Sequence, residues 1–450
     1  MAGPTARIGI ALCGMMLGLF ALAPASRAMT IRPIDAPAGV EAWLVEDYTV
    51  PIIAVDFAFA GGAAQDPADK AGVANMLSSM LDEGAGDMRG EAFQAALDEK
   101  SISAVFSAGR DSFFGDVRML AEDRDAASEL IALALRKPRY DDEPMARIRA
   151  AILANIKDDE ADPQASATLA VCAKAFPNHP YGRPLLGTRE SIAAITPADL
   201  EAYRDRIFAR DHLKVAIVGA VNPADAARML ARMFGPLPEK ARLDPVPDIV
   251  PAAGVIALER PSPQTLIRFG GPGLARQDKD FMAAYVVNHI FGGGTFSSRL
   301  YKEVREKRGL AYQISSTLVN LTHANAFAGG TAVKPENADE TVELIRREMA
   351  RFATEGPTAE ELAEAKSYIT GSYALRFNAS GRIAQQLVGI MNDGLDINYI
   401  EKRNDLIRAV TLEDARRAAR RLFGNGMVMA VTVGPARTKT AEATMTGPRL

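Results

Sequence analysis

The sequence predicts an α+β fold: two tandem homologous α/β sandwich domains, each a mostly antiparallel sheet with helices packed on one face. Three observations lead to this prediction. Short segments of the first half recur in the same order in the second half, strand-like and helix-like periods alternate within each half, and a proline-rich stretch separates the halves.

The recurrence indicates an internal duplication. Residues 195–219 recur as 410–434, so that Thr196 matches Thr411 and Phe208 matches Phe423, at one constant offset of 215. Upstream, Gln65-Asp66 recurs as Gln277-Asp278 and 129–131 recurs as 343–345, with offsets of 212 and 214. This small drift is what loop insertions between two copies of one domain produce.

Each half mixes the two secondary-structure periods. Alternating apolar residues predict strands at 53–59, 105–108, 266–269 and 313–318. Helical periodicity predicts helices at 71–81, 91–100, 123–136 and 143–160, with counterparts at 279–291, 297–307, 337–354 and 358–376. Thr358 with Glu361 forms a capping-box start, and Pro197 stands at a first helical position.

The breaks between patterns give the domain organisation. Five prolines between 236 and 251, without any periodicity, indicate a linker. We therefore predict a signal peptide at 1–28, an N-terminal domain at 29–240, a linker at 241–252, a C-terminal domain at 253–436 and a flexible tail at 437–450.

The segment 1–28 predicts export. Arg7 precedes an apolar run at 8–25, and small residues flank Arg27 at a cleavage-like site. A membrane anchor is the competing interpretation, but glycines interrupt this short run. The expected location is the periplasm, and because no later apolar run is long enough to cross a bilayer, no membrane span is expected after cleavage.

Composition excludes other classes of function. Cleavage would remove two arginines, leaving 50 of the 52 basic residues against 56 acidic ones, a net charge of −6. A chain with this negative net charge lacks the basic character that is typical of nucleic-acid-binding proteins. Cys172 would be the one remaining cysteine, so stability must come from packed cores rather than disulfides.

Several segments together resemble the pitrilysin/insulinase family of zinc peptidases. They are 72–81, the run 178–182 followed by 187–192, and 298–300 through 305–312. The resemblance runs in order over nearly the whole mature chain. It implies an inverted zinc signature, His-x-x-Glu-His, on the helix after the first glycine-containing loop, and a distal glutamate that completes the zinc shell.

The resemblance places the family's zinc site on residues that cannot perform its chemistry. The two ligand histidines fall on Asn75 and Ser79, the general base on Ser78 and the distal ligand on Asn155. Amide and hydroxyl groups are poor zinc ligands, and neither serine nor asparagine takes a proton from a metal-bound water. We therefore expect no cofactor in this chain, with zinc held by a partner subunit.

The histidine content agrees with a lost metal site. The four histidines are His179, His212, His289 and His323, and no two lie within helical ligand spacing. His289, on an apolar helix, is interpreted as a core or interface residue, and His179 as a structural residue in a turn.

The second half keeps a different part of the family pattern. The resemblance implies that Arg305 and Tyr312 bind the substrate backbone near the scissile carbonyl, because a fork of cationic donors plus a phenol polarises a carbonyl. The simpler interpretation is a surface arginine and a strand-edge tyrosine. Gly292-Gly293-Gly294 lacks the Lys-Ser/Thr of a phosphate loop and is interpreted as a helix end opening into a loop.

Three functions are consistent with these residues. The first is an exported subunit, inactive alone, of a heterodimeric zinc peptidase: it supplies Arg305 and Tyr312 to peptide substrates held by a homologous zinc-bearing partner. The alternative is a catalytically empty scaffold or peptide-binding protein of the same fold. A self-sufficient peptidase ranks third.

Overall fold

The computed structural model describes residues 29–435, so the expected signal peptide (1–28) and tail (437–450) lie outside the described residues. The strands of the first half are β1 (Ile31–Pro33), β2 (Val40–Glu46), β3 (Ile52–Ala60), β4 (Gly84–Ala85), β5 (Met88–Arg89), β6 (Ser103–Ala108), β7 (Ser112–Leu120) and β8 (Leu213–Gly219). Those of the second half are β9 (Gly254–Glu259), β10 (Thr265–Pro272), β11 (Ala311–Asn320), β12 (Asn325–Val333) and β13 (Met429–Gly434).

The helices fill the intervals between these strands. In the first half they are α1 (Val73–Ser78), α2 (Gly90–Glu99), α3 (Arg124–Arg136), α4 (Asp142–Ala161), α5 (Pro163–Ala175), α6 (Arg189–Ala194), α7 (Pro197–Ile207) and α8 (Pro223–Phe234). In the second half they are α9 (Phe281–Asn288), α10 (Arg299–Tyr301), α11 (Ala338–Glu355), α12 (Ala359–Gly371), α13 (Ser380–Asn392), α14 (Tyr399–Ala409) and α15 (Leu412–Phe423).

Two sheets with matching strand order confirm the predicted fold class. The first has the order β1-β2-β8-β3-β7-β6 and the second the order β11-β12-β10-β13-β9. In each sheet a single pair is parallel, β2 with β8 and β9 with β13, and the other pairs are antiparallel. Apart from the edge strand β1, the two orders are the same when read from opposite ends, as two copies of one domain require.

The duplication also holds at the level of single side chains. Thr196 and Asp199 form a reciprocal capping box at the start of α7, and Thr411 with Asp414 does the same at α15. Both helices lead into the strand that takes the same place in its sheet, β8 or β13. The sequence repeat therefore marks equivalent structural positions.

Each half has its own apolar core between its sheet and its helices. The first core contains Phe57 and Phe59 of β3 with Phe234 of α8, and the second contains Phe291 and Phe423. Aromatic rings meet edge-on or stacked within each core, for example Phe59 on Phe208 at 4.7 Å between ring centroids. Burial of apolar surface in these cores is the main favourable contribution to the stability of each half.

The structure adds a feature that the sequence did not predict: a helix from the opposite half covers the second face of each sheet. Helix α13 packs across β3 and β8 of the first sheet, and α5 packs across β10 and β13 of the second. Small residues make this close approach possible: Ala54, Ala58 and Ala216 of the first sheet belong to the same buried apolar cluster as Leu387 of α13. The halves are thus joined crosswise, each closing the sandwich of the other.

The proline-rich segment between the halves is held by specific hydrogen bonds. Helices and strands are absent from 241–253. Asp244 exchanges two bonds with the Gln65 side chain, at 2.7 and 3.0 Å, and Ile249 N–H donates to the carbonyl of His323 at 2.8 Å. The predicted linker is therefore an extended strap attached to both halves, and the exact domain limits stay a prediction.

Two of the predicted helices of the second half end differently from the prediction. The expected helix 279–291 passes into a π-helical turn at His289–Gly293, and the expected helix 297–307 consists of α10 followed by a π-helical turn at Lys302–Glu306. Of the helices described between residues 29 and 435, none combines the length and the apolar character that a membrane crossing requires.

Candidate functional site

Helix α1 and Ser79, the residue directly after it, hold three of the four positions at which the family resemblance places a zinc site. The helix begins after Gly72, whose φ of 93° favours glycine and whose added Cβ would lie 2.6 Å from the carbonyl oxygen of Leu186. The buried carboxylate of Asp66 accepts the N–H of Gly72 at 2.7 Å and of Ala74 at 3.1 Å. Asp66 thus satisfies free N–H groups of the first turn and fixes where the helix starts.

A second contact joins two segments that are far apart in sequence. Thr188 and Ser191 form a capping box at α6, and Ser191 Oγ donates to the carbonyl of Ala71 at 2.7 Å. The segments 72–81 and 187–192, which both carry the resemblance, therefore touch at the start of α1.

The hydroxyl groups on α1 bond to the helix itself. Ser78 is buried, and its Oγ donates to the carbonyl of Asn75 at 2.8 Å; Ser79 Oγ donates to the same carbonyl at 3.3 Å. This back-bonding is typical of serine inside a helix. It occupies the hydroxyl protons and offers no anionic or imidazole ligand.

Asn155 lies on α4, which packs against α1, but its side chain is exposed. Across residues 29–435 no group of three or more histidine, cysteine, aspartate or glutamate side chains could hold a metal ion. The four residues are thus neutral amides and alcohols on two adjoining helices. Their assignment as former zinc positions stays a prediction.

The second candidate site begins at Ser298 and Arg299. Ser298 caps α10, and Arg299 binds Glu361 of α12 through two bonds of 2.7 Å. The Arg299 guanidinium also donates to the carbonyl of Gly356 at 3.0 Å and lies 4.4 Å from the ring centroid of Phe352. Such a bidentate pair holds the helix firmly, so the turn that follows it has a fixed position.

Arg305 lies on this turn between two aromatic rings. Its guanidinium carbon is 4.9 Å from the ring centroid of Tyr301 and 5.0 Å from that of Tyr312. Gly309, at φ 62°, closes the turn with a 2.9 Å bond from its N–H to the Arg305 carbonyl. The structure therefore brings together Arg305 and Tyr312, the two residues that the family resemblance singled out.

Tyr312 is open to solvent, and the half-buried Arg305 has no ion-pair partner among residues 29–435. Tyr312 is 81% exposed. Of the neighbouring cations, Lys307 and Arg308 bind Glu303 at 2.6 and 2.7 Å, whereas no described carboxylate between residues 29 and 435 forms an ion pair with Arg305. Stacking occupies the faces of the guanidinium and leaves its N–H edge for an external acceptor.

The two candidate sites belong to different cores. Met76 and Leu77 of α1 pack in the first core, and Tyr301 and Val304 beside Arg305 pack in the second. The chain therefore builds them as separate sites, each positioned by its own half.

Two of the four histidines, His179 and His289, have structural partners within the fold. His179 is buried: its Nδ1 accepts the Tyr181 N–H at 3.1 Å, and its Nε2 bonds to the carbonyl of Pro247 at 2.9 Å. His289 stacks on Tyr368, and burial lowers its pKa. Both stay outside the two candidate sites.

Comparison with known proteins covers both halves. A family model described as insulinase (peptidase family M16) matches residues 43–189, which include Asn75, Ser78, Ser79 and Asn155. A second, described as the peptidase M16 inactive domain, matches residues 194–369, which include Arg305 and Tyr312.

Relatives in bacteria carry two kinds of description. The non-peptidase homolog YmxG of Helicobacter pylori is 26% identical over 404 residues, 89% of this chain and 92% of that protein. An uncharacterized zinc protease of Streptomyces coelicolor is 29% identical over 336 residues, 72% of each chain.

Solved structures share the architecture. The crystal structure of a peptidase M16 inactive domain from Pseudomonas fluorescens superposes with a TM-score of 0.85 at 27% identity, covering 92% of this chain and all of that one. A protease from Helicobacter pylori superposes with a TM-score of 0.79 at 17% identity and 91% coverage of this chain, which shows the fold alone.

Proposed function

Since the chain belongs to the M16 insulinase family, we propose that it is the non-zinc subunit of an exported heterodimeric metallopeptidase and binds peptide backbone through Arg305 and Tyr312. The single observation that carries this proposal is the Arg305 guanidinium, which forms no ion pair with a described carboxylate and lies against the exposed Tyr312 ring. Relatives are named both zinc protease and non-peptidase homolog, so the residues of this chain, rather than those names, support the proposal.

The first half cannot supply the hydrolytic step. Attack on a peptide carbonyl by a metal-bound water needs a Lewis acid and a base that removes the proton. Asn75, Ser78 and Ser79 offer an amide and two alcohols that already bond to the helix backbone. A partner with His-x-x-Glu-His has to provide the zinc and the general base.

The second half has suitable groups to stabilise a reacting carbonyl. When water adds, negative charge develops on the carbonyl oxygen, and fixed cationic or phenolic donors stabilise it most where no rearrangement is needed. Arg305 is fixed by two rings, and its turn is anchored through Arg299. Because this pair and α1 belong to different cores, we propose that the pair acts on substrate bound to the partner.

The proposed location is the periplasm. The support is the sequence of 1–28, where Arg7 and an apolar run precede a small-residue cleavage site. A partner that meets this chain after export would itself need an export signal.

The test is reconstitution with a homologous chain that carries His-x-x-Glu-His and an export signal. Peptide turnover is measured for each chain alone and for the pair, with assembly followed by size and zinc by metal analysis. We expect turnover by the pair that exceeds that of either chain alone.

Two variants identify the role of the pair of residues. Arg305→Ala and Tyr312→Phe should each lower turnover by about 10- to 1,000-fold, with the dimer and its zinc retained. The double change should cost less than the sum of the singles if both hold one carbonyl. Exposed neighbours serve as matched controls: Lys302→Ala on the same turn and Tyr368→Phe on α12 should leave turnover unchanged. Full activity of both variants in an intact dimer would favour the scaffold function instead.

A further inference from the structure

A cavity of about 370 Å³ opens in the second half, away from both candidate sites. It lies between α9, β11, the short helical turn Tyr373–Phe377, α13 and α14. Its volume is within the range of small-molecule sites. Aromatic walls are provided by Phe281, Tyr285, Tyr373 and Tyr399.

Arg403 of α14 lines this cavity and is buried, with 5% of its surface exposed. Its Nη1 donates to Asn404 Oδ1 at 3.0 Å and to the carbonyl of Ile369 at 3.5 Å, and its Nη2 donates to Tyr285 OH at 3.5 Å. Two of these three contacts are longer than ordinary N–H···O bonds. None of the carboxylates described in 29–435 lies within ion-pair distance of it, 4.0 Å.

A guanidinium has five N–H donors, and burial without a counter-ion is unfavourable. Two rings compensate part of that cost, since the Arg403 guanidinium carbon lies 4.0 Å from the ring centroid of Tyr373 and 5.5 Å from that of Tyr285. Stacking uses the faces of the guanidinium, however, and does not satisfy its N–H edge. The unfilled requirement is an anionic acceptor.

The charges that line the cavity are mostly positive. Its lining contains three arginines, Arg276, Arg376 and Arg403, and one acid, Asp393. Asp393 already binds Arg276 at 3.0 Å, so two positive charges remain in a chain whose formal net charge is −4. Arg376 is exposed, which places a second cation where a ligand enters.

We propose that this cavity binds a small organic anion: its carboxylate or phosphate group meets Arg403, and its apolar part lies against Tyr373 and Tyr285. A bound anion would connect α13, which closes the first sheet, to α9 and α14 of the second half. Binding should therefore also raise the melting temperature of the chain. This site does not depend on the peptide-binding role of Arg305 and Tyr312.

Isothermal titration of the purified chain with four probes tests the proposal. Phenyl phosphate and benzoate are the charged aromatic probes, benzamide is the uncharged match, and inorganic phosphate lacks the apolar part. We expect at least one charged aromatic probe to bind, with benzamide and inorganic phosphate each at least about tenfold weaker. Comparison of benzoate with phenyl phosphate decides which anionic group the site prefers.

Substitution of the lining arginines tests whether the probe binds in this cavity. Arg403→Gln and Arg376→Gln should weaken the better probe by about 10- to 100-fold, because each removes a charge-assisted donor. Arg382→Gln, an exposed arginine on α13 outside the lining, is the matched control and should bind as the unmodified chain does. If Arg403→Gln does not fold, Arg376→Gln and the probe series decide. Lack of binding by both charged aromatic probes at millimolar concentration, equal binding of benzamide, or undiminished binding by the folded variants would overturn the proposal.

Discussion

Asp56 is a buried carboxyl group in the middle of β3, on the face that α13 covers. It lies on the same strand face as Ala54 and Ala58, which share an apolar cluster with α13, and its Oδ2 atom has no hydrogen-bond partner among residues 29–435. Burial raises the pKa of Asp56 to about 7; the Asp116 carboxylate on the paired strand adds to this, and Arg118 opposes it. The Asp56 carboxyl group therefore keeps its proton in the folded state over most of the acidic pH range and releases it around pH 7.

This raised pKa predicts that stability falls as the pH rises. Below about pH 4 the proton is bound in both the folded and unfolded states, and above that the unfolded state releases it while the folded state keeps it until about pH 7. The free energy of unfolding should therefore fall between pH 4 and 7, by at most about 1.4 kcal/mol per pH unit from this group. Asp56→Asn should remove that slope and be more stable than the unmodified chain at pH 7.

Denaturant unfolding at several pH values gives the free energy of unfolding of the variant and of the unmodified chain. Their difference removes the contribution of the other titrating groups, which is the same in both. Asp69→Asn, at an exposed position of the same half, is the control and should not change the slope. If the stability of Asp56→Asn varied with pH in the same way as that of the unmodified chain, the Asp56 carboxyl group would be ionised in the folded protein.

The side chains of α1 and α4 predict the behaviour of the chain towards metal. Asn75, Ser78, Ser79 and Asn155 provide no imidazole, thiolate or carboxylate. The purified chain should therefore bind no zinc tightly and cleave no peptide. Metal analysis after dialysis, together with a peptide assay with and without chelator, checks this. Stoichiometric zinc with chelator-sensitive cleavage would contradict it.

At the level of secondary-structure elements, α7 and α15 begin with the same kind of capping box. Thr411 Oγ1 and N–H both donate to Asp414, and the Asp414 N–H donates back to Thr411 at 3.1 Å; Thr196 and Asp199 repeat these bonds. The Thr411 hydrogen bonds, aided by Arg417, lower the pKa of Asp414 to about 2. Each box satisfies N–H groups that the helix cannot satisfy internally.

Removal of either cap should have a similar cost. Thr196→Ala and Thr411→Ala should each lower the free energy of unfolding at pH 7 by about 1 kcal/mol, whereas Thr→Ser at the same positions keeps the hydroxyl and should cost little. Because the folded-state pKa of Asp414 is lowered, its stabilising effect is present above about pH 4 and is lost as the pH falls towards 2. The cost of Thr411→Ala should shrink over that range. A pH-independent cost would show that the carboxylate takes no part.

At the scale of the whole molecule, the crosswise helices decide how the halves are held. Ala384 and Leu387 of α13 share a buried apolar cluster with Trp43 and Ala216 of the first sheet, and Ala167 of α5 shares one with Val431 of the second. Both contacts are apolar and join residues far apart in sequence. Neither sandwich is complete without the other half.

The fully buried Leu387 should therefore contribute to the stability of both halves. Leu387→Ala should lower the free energy of unfolding by about 2–5 kcal/mol, the usual range for a leucine removed from a packed site. Leu375→Ala, the same substitution at a leucine that is 72% exposed, should cost less than about 0.5 kcal/mol. Limited proteolysis should cleave the Leu387 variant faster within the strap 241–253. Equal unfolding curves for the two variants would contradict the packing role of α13.

Features that depend on local pattern could be predicted from the sequence. Alternation placed β3, β6, β10 and β11, Thr358 with Glu361 marked the start of α12, Pro197 marked the start of α7, and the recurrence of 195–219 as 410–434 marked equivalent positions in the two sheets. The family resemblance also singled out Arg305 and Tyr312, which the structure places side by side. These features are encoded by residues a few positions apart.

Which surfaces meet depends on contacts between distant parts of the chain. Periodicity indicates that a helix has a buried face but not what covers it, so the exchange of α5 and α13 between the halves had no signal in the sequence. The bond from Ser191 to Ala71, the ring of Tyr301 behind Arg305 and the unpaired charge of Arg403 likewise depend on how distant elements are arranged. Burial and charge pairing are set by such long-range contacts, and the physical character of both candidate sites follows from them.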